Sequence, residues 1–214
     1  MAQHILVVTA VSAEQEAVLH GLGSASHIDV IVGGVGSFST AVKTTRKLSE
    51  QSYDLVISAG IAGGFADRAP VGSVAVANRI IAAELGAESE ASFLPIEELG
   101  FGSSVISMQD RILAPIIRKL HDSELVSQVG SILSVSTTTG TTNTATTLLQ
   151  RYPDAIAEAM EGFGVAMAAH EFSIPVLEIR TISNVIGPRD RESWKIVEAL
   201  NMLTSVSKLL AEVY

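Results

Sequence analysis

A chain of 214 residues in which 47% are hydrophobic and 17 are glycine can bury a substantial core, and its length suits one α/β domain spanning residues 1–214. With 14 Lys and Arg against 23 Asp and Glu, the net charge of −9 opposes nucleic acid and anionic membranes as partners and leaves a neutral or small anionic ligand open. The absence of cysteine removes disulfides, thiolate zinc sites and cysteine nucleophiles together, and suits a reducing cytoplasm.

The N-terminus, MAQHILVVTAVSAEQE, lacks the basic region and cleavable apolar segment of a signal peptide, and no apolar run approaches a bilayer span. HILVVTAV (4–11) reads as a buried strand. Ser12 and Gln15 then fit a capping box, and Gly21 or Gly23 is expected to end the helix that follows. DVIVGGVG (29–36) reads as a strand ending in glycines. The next segment, 37–50, is an amphipathic helix with Phe38, Ala41, Val42, Thr45 and Leu48 on one stripe. DLVISAGIAGGF (54–65) repeats the strand-to-glycine pattern, and β character continues through 71–84. A helix is expected near 109–121 and a strand at 127–136, followed by the threonine-rich TTTGTTNTATT (137–147). Helix 162–172, strand VLEIRTIS (176–183) and a closing helix from about Arg191 to Glu212 complete the chain. No repeat, charge block or linker divides it, and the alternation predicts a three-layer α/β/α fold with a mixed central sheet.

Ligands of such sheets gather at the carboxyl ends of strands. Four strand ends carry polar or glycine-rich sequence: Ser12 to Glu16, Gly33 to Ser37, Gly60 to Gly64, and Ser183 to Asp190. "GGVGS" and "GIAGG" lack the Lys and Ser/Thr of a P-loop and do not complete a dinucleotide fingerprint, so tight turns explain them equally well. Glu14 and Glu16 lie in a first helical turn, where acidic side chains are favoured whatever the function. Glu161, in "EAMEGFG", stands at an element boundary among apolar residues, which suits a partly buried functional carboxylate or a helix-start residue. His4, His20, His27, His121 and His170 show no metal-ligand spacing. Asp190 suits the N-cap of the last helix, and Trp194 suits a core or subunit contact.

Taken together, "TAVSAEQEA", "SAGIAGGF" and "YPDAIAEAMEGFGVAMAAHEFSIPVLEIRTISN" resemble the nucleoside phosphorylase and nucleosidase superfamily, in order and over nearly the whole chain. Within it, "AEAMEGFGVA" followed by "ISNVIGPRDRESW" is most similar to the futalosine hydrolase family, nucleosidases of the alternative menaquinone pathway. The resemblance implies that Glu14 activates the attacking water, with Glu16 in reserve. It further implies that Glu161 binds the ribose hydroxyls, Met160 packs on the sugar and Arg180 lies near the water. Gly60, Ile61, Thr138, Thr139, Phe163 and Ser183 complete the expected substrate-binding set. No cofactor or metal is implied, and a homodimer or larger homo-oligomer is, with a neighbour completing the pocket.

The chain departs from the family pattern in three places. Ala159 replaces one ribose-side carboxylate, Ile61 stands where a serine helps hold water, and Ser58 stands where hexameric phosphorylases carry a phosphate-binding arginine. The last departure favours water over phosphate as nucleophile.

Breaking a purine N-glycosidic bond builds positive charge on the sugar and negative charge on the base. Asn184 occupies the position at which adenosine-type enzymes carry an aspartate. Its NH2 can donate to O6 and its carbonyl can accept from N7–H of a 6-oxopurine, whereas an aspartate would set acceptors against O6. Hypoxanthine or guanine is therefore the expected leaving base. A proton for N7, if needed, would come from water or Asp190. Arg189, Arg191 and Arg68 are candidates to meet a carboxylate on the 5′ side. Two alternatives stand: another purine nucleosidase or phosphorylase acting on inosine or methylthioadenosine, and a non-catalytic nucleoside-binding protein.

Overall fold

The computed structural model describes residues 3–90 and 92–214. In chain order the elements are β1 (Ile5–Thr9), α1 (Ser12–Leu22), β2 (Ile28–Val32), α2 (Ser37–Glu50), β3 (Leu55–Gly64), β4 (Val74–Ala82), β5 (Gly86–Glu88), β6 (Phe93–Pro95), β7 (Val105–Ser107), α3 (Asp110–His121), β8 (Ser127–Ser134), α4 (Thr142–Arg151), β9 (Ala155–Ala159), α5 (Gly162–Glu171), β10 (Val176–Val185) and α6 (Ile196–Val213). A short 3-10 turn, Arg191–Ser193, precedes α6.

One mixed sheet runs β10-β4-β8-β9-β3-β1-β2, with β7 added on β4. Because β10 pairs with β3 as well as β4, the strands β3, β10, β4, β8 and β9 close into a ring, from which β1 and β2 extend. The apolar runs of β1, β3 and β10 are buried along almost their whole length, as expected of strands covered on both faces. Helices α1, α3 and α6 pack together on one side, and α2 packs on α5 on the other. Along α6 the residues Ala199, Leu203, Val206 and Leu210 recur every three or four positions and are fully buried. Each of the larger ones contributes about 1.5–3 kcal/mol of burial.

The structure departs from the sequence expectation in several places. The buried stripe of α2 is Thr40, Thr44 and Leu48, while Phe38 is 85% and Val42 71% exposed. The apolar face read from the sequence is thus turned half a face away from the core. Helix α1 is capped at Val11, with Glu14 rather than Gln15 reaching back to the cap backbone. It runs through Gly21 and ends at Gly23, where φ is +59°. A Cβ on Gly21 would lie 2.1 Å from the Thr204 carbonyl oxygen, so this glycine serves the close approach of α1 to α6. The last helix starts at Ile196, and Asp190 precedes only the 3-10 turn and makes no side-chain cap. Gly60, Gly63 and Gly64 lie inside β3, so "GIAGG" is strand rather than turn.

Two elements, α4 and β9, have no counterpart among the elements expected from the sequence. Helix α4 is built largely from threonine, a weak helix former. Its start depends on the Thr141 hydroxyl accepting from the Thr144 backbone N–H at 3.1 Å. Strand β9, AIAEA, is buried on both faces, so it shows no alternation.

Candidate active site

The ends of β1, β3, β9 and β10 surround a cavity of about 570 Å³, a size that holds a nucleoside. It is lined by Glu14, Ile61, Gly63, Thr138, Thr139, Glu158, Met160, Glu161, Ser183 and Asn184, with Val35, Ile186, Arg189, Arg191 and Trp194 among the others.

Glu14 enters from the first turn of α1 and is 4% exposed. Its Oε2 accepts backbone N–H bonds from Ala10 (2.8 Å) and Val11 (3.3 Å), and its Oε1 accepts one from Ile61 (2.9 Å). Burial raises its pKa above the ordinary 4.5, and this outweighs the opposing pull of Arg180 and of the backbone donors from Ile61 and Ala10. A buried carboxyl tuned upward and fixed by three backbone donors has the properties of a general base.

Behind it lies an ionic cluster. Arg180, on β10, is only 1% exposed and donates from Nε to Glu178 Oε1 (2.9 Å), from Nη1 to Glu161 Oε2 (3.2 Å) and from Nη2 to Ser58 Oγ (3.0 Å). Burial works against its charge, but Glu178, Glu161 and Glu14 more than offset that and hold it protonated. Glu178 is fully buried, its Oε2 has no partner, and burial raises its pKa. Gly60 faces the junction of this cluster: a Cβ there would lie 2.5 Å from Glu14 Oε1 and 2.8 Å from Arg180 Nη1. Neither Arg180 nor Gly60 lines the cavity, so each acts on it through Glu14 and Glu161.

Glu161 closes the cavity at the start of α5. Its Oε1 accepts from the Gly36 N–H (3.2 Å), and its Oε2 accepts from Met160 N–H (3.3 Å) as well as from Arg180. Its side chain does not cap the helix it begins. The Ser37 hydroxyl donates to the Met160 carbonyl at 3.0 Å, tying α2 to this corner.

Asn184 follows a register shift in β10 that leaves Ser183 unpaired between Ile182 and Asn184. Such a bulge re-aims the side chain beside it. The Asn184 Oδ1 accepts from Ser183 Oγ (2.8 Å), which also donates to the Ala62 carbonyl (3.2 Å). Its Nδ2 donates to the Val185 carbonyl at 3.2 Å.

Several expected residues lie elsewhere. Glu16 is exposed and outside the cavity, as is Asp190, which borders a neighbouring groove. Phe163 is packed against the core, its N–H bonded to Ser134 Oγ at 2.8 Å. Arg68 is tied to the carbonyls of Pro153 and Ala155 and does not reach the cavity. No histidine lines it. Trp194 does line it, half-buried, with the Arg189 guanidinium 5.2 Å from its ring centre.

The residue that sequence reasoning missed is Glu158, which is 5% exposed and has a pKa raised by burial, with Thr139 pulling the other way. Its signal was a lone carboxylate within the apolar run AIAEA, a placement costly without a role. Among the described residues, no group of three or more His, Asp or Glu side chains is arranged to hold a metal ion, and no helix is long and apolar enough to cross a membrane.

A three-layer α/β fold of this topology, with a carboxylate-lined nucleoside-sized cavity at its strand ends, is that of the phosphorylase superfamily, and the chain belongs to it: the family model matches residues 9–214. Futalosine hydrolase of Streptomyces coelicolor is 44% identical over 98% of this chain and 96% of its own length. Among solved structures, that of Helicobacter pylori futalosine hydrolase superposes with a TM-score of 0.84 at 17% identity, covering 98% of this chain and 97% of that one. A mutant of Helicobacter pylori MTAN, with 5′-methylthioadenosine in its active site, superposes equally well: TM-score 0.85, 18% identity, 99% of this chain and 100% of that one covered. The fold therefore does not choose the base; the side chains in the cavity must.

Proposed function

We propose that this protein is a futalosine hydrolase, releasing hypoxanthine from futalosine and leaving dehypoxanthinyl futalosine, a step of the futalosine route to menaquinone. The 44% identity to the Streptomyces coelicolor enzyme over nearly the full chain supports the substrate. The observation that carries the reaction type is the state of Arg180. Three of the five N–H groups of this guanidinium are taken up by Glu178, Glu161 and Ser58, and it is almost fully buried behind the cavity wall, so it does not present its donors to a phosphate in the cavity.

On this reading Glu14 takes a proton from a water that attacks the anomeric carbon. As the glycosidic bond breaks, its electron pair passes to the purine, and Glu161 fixes the ribose hydroxyls. Asn184 donates to O6 and accepts from N7–H. Asp190 stands outside the cavity, so the proton that N7 gains comes from solvent water, while the one taken by Glu14 returns to solvent. Arg180 positions Glu14 and Glu161 and does not touch substrate. Arg189 and Arg191, both on the cavity wall, are the cations available to the carboxylate at the far end of futalosine.

The protein is further proposed to work as one catalytic unit per chain within a homo-oligomer. The exposed apolar row Val35, Phe38 and Val42 begins at the cavity mouth and runs along α2, which suits burial against a second copy. A cysteine-free chain is at ease in the cytoplasm, where this reading puts the reaction.

The deciding experiment incubates the purified protein with futalosine in phosphate-free buffer and follows hypoxanthine by chromatography. Stoichiometric release is expected. No release, or release that depends on added phosphate, would refute the proposal.

A further inference from the structure

Glu158 is a buried carboxylate on the cavity wall for which the reaction as described has no use. Its place in the sheet is informative. Gly63 pairs with Asn184 of β10 on one side and with Glu158 of β9 on the other. The three residues thus lie abreast across three strands, which puts the outer two Cα atoms about 10 Å apart at ordinary strand spacing. Directly paired residues project to the same face of a sheet. The Asn184 Nδ2 lies 3.3 Å from where a Gly63 Cβ would be, which fixes its side chain on that face. Between an amide and a carboxylate the glycine brings no side chain of its own, and the Ile186 side chain, its Cγ1 2.8 Å from where a Cβ would be, lies there as an apolar surface on the cavity wall.

The hydrogen bonds of Glu158 sharpen this. Its Oε1 accepts from the Thr139 backbone N–H at 2.7 Å, and its Oε2 accepts from the Thr139 hydroxyl. Both partners are donors, the arrangement an ionised carboxylate wants, and it retains lone pairs for a third donor. The Thr139 N–H, which could otherwise have met an unprotonated ring nitrogen, is turned into Glu158 instead. Of the common purines, those with a 6-oxo group carry N1–H next to O6, and 6-aminopurines present a bare N1 acceptor.

We propose that Glu158 is a specificity-determining residue opposite Asn184: its carboxylate accepts N1–H of a 6-oxopurine while Asn184 serves O6 and N7, so the base is gripped along one edge across Gly63. The assignment rests on the proposed action on a hypoxanthine nucleoside. It adds a second, independent element of selectivity, because a carboxylate facing N1 of a 6-aminopurine sets acceptor against acceptor. Discrimination by an unpaired buried group of this kind amounts to roughly 10–100-fold.

The test measures equilibrium binding of free hypoxanthine and free adenine, by calorimetry, to wild type, Glu158→Gln and Asn184→Asp. Wild type is expected to prefer hypoxanthine. Glu158→Gln, which keeps an acceptor for Thr139 N–H and presents an NH2 that can donate to N1, is expected to narrow the preference by roughly 10–100-fold. A purely structural role in holding the Thr139 segment would instead weaken both bases by the same factor, and that outcome overturns the proposal. On wild type alone, 1-methylhypoxanthine, which has no N1–H, should bind at least about tenfold more weakly than hypoxanthine; equal binding overturns it without recourse to any variant. A wild type that prefers adenine defeats the 6-oxopurine reading itself. Preference for hypoxanthine that survives unchanged in Glu158→Gln defeats only the role of Glu158.

Discussion

Replacing Gly60 by alanine is the sharpest perturbation of the site that touches no substrate. Gly60 has an ordinary strand backbone without positive φ, so alanine is conformationally acceptable, and any effect comes from the added methyl. That methyl would stand 2.5 Å from Glu14 Oε1, against ordinary contact from 3.4 Å, so the carboxylate must retreat by about 0.9 Å. It cannot do so freely. Its donors come from two strands' ends, Ala10 and Val11 on one side and Ile61 on the other, so lengthening at least one of these bonds is unavoidable. Arg180 Nη1, 2.8 Å from the same methyl, is pinned by two carboxylates and cannot yield in compensation. A misplacement of this size in a catalytic group costs on the order of 10²-fold in kcat. The overpacking should cost about 1–3 kcal/mol of stability. Because Gly60 is absent from the cavity wall, KM should stay within a few-fold. Steady-state hypoxanthine release from futalosine, alongside urea unfolding, reads both quantities. A folded Gly60→Ala protein with kcat within threefold of wild type would refute the claim that Glu14 must sit where these donors hold it.

Glu14→Gln should lower kcat by about 10²–10⁴-fold. In wild type, kcat/KM should climb as pH rises through the Glu14 pKa. The base must be ionised and burial has raised its pKa, so this acidic limb lies above that of a free glutamate, and the variant should lack it. Asn184→Asp should lose more activity on hypoxanthine nucleosides than on adenine ones in a side-by-side substrate panel; equal losses would sink the base assignment. Arg180→Met leaves Glu178 and Glu161 buried without their cation and should cost about 3–5 kcal/mol in urea unfolding, much of it restored by adding Glu178→Met. Phe38→Glu should reduce the oligomer measured by light scattering, and an unchanged mass would remove α2 from the interface.

What the sequence disclosed and what it hid follow from the range of the interactions. Strands β1, β3 and β10 are announced by continuous apolar runs, since burial on both faces needs nothing else. Asn184 could be singled out because it is a polar residue at the end of such a run, and Glu161 because it stands at an element boundary among apolar residues, whereas Glu14, favoured in a first helical turn whatever its role, is singled out by the family resemblance. The position of Glu158 across from Asn184 could not be foreseen, because it arises from the β9–β3–β10 pairing, which brings both beside Gly63, far from either of them in the sequence. Arg180 shows the same limit. The resemblance sets it near the attacking water, but of the carboxylates that absorb its charge Glu178 is its neighbour on β10, while Glu161 and Glu14 come from two distant places in the chain. The α2 stripe failed for a different reason: the periodicity was real but faces outward, and periodicity alone does not say which of two apolar surfaces a helix serves.

The closed ring of strands also bears on how the chain is made. Strand β10 fills the place between β3 and β4, yet it follows every other strand of this sheet in chain order. Until residue 185 has left the ribosome, β3 and β4 present unpaired edges toward one another, and Glu178 and Arg180 have not taken their places behind the cavity wall. A nascent or prematurely terminated chain is thus an open sheet with sticky edges and no assembled ionic cluster. Pairings of such long sequence separation also make folding slow. Competence for catalysis and protection from aggregation therefore arrive together, with the insertion of one ten-residue strand after all the others of the sheet have been made.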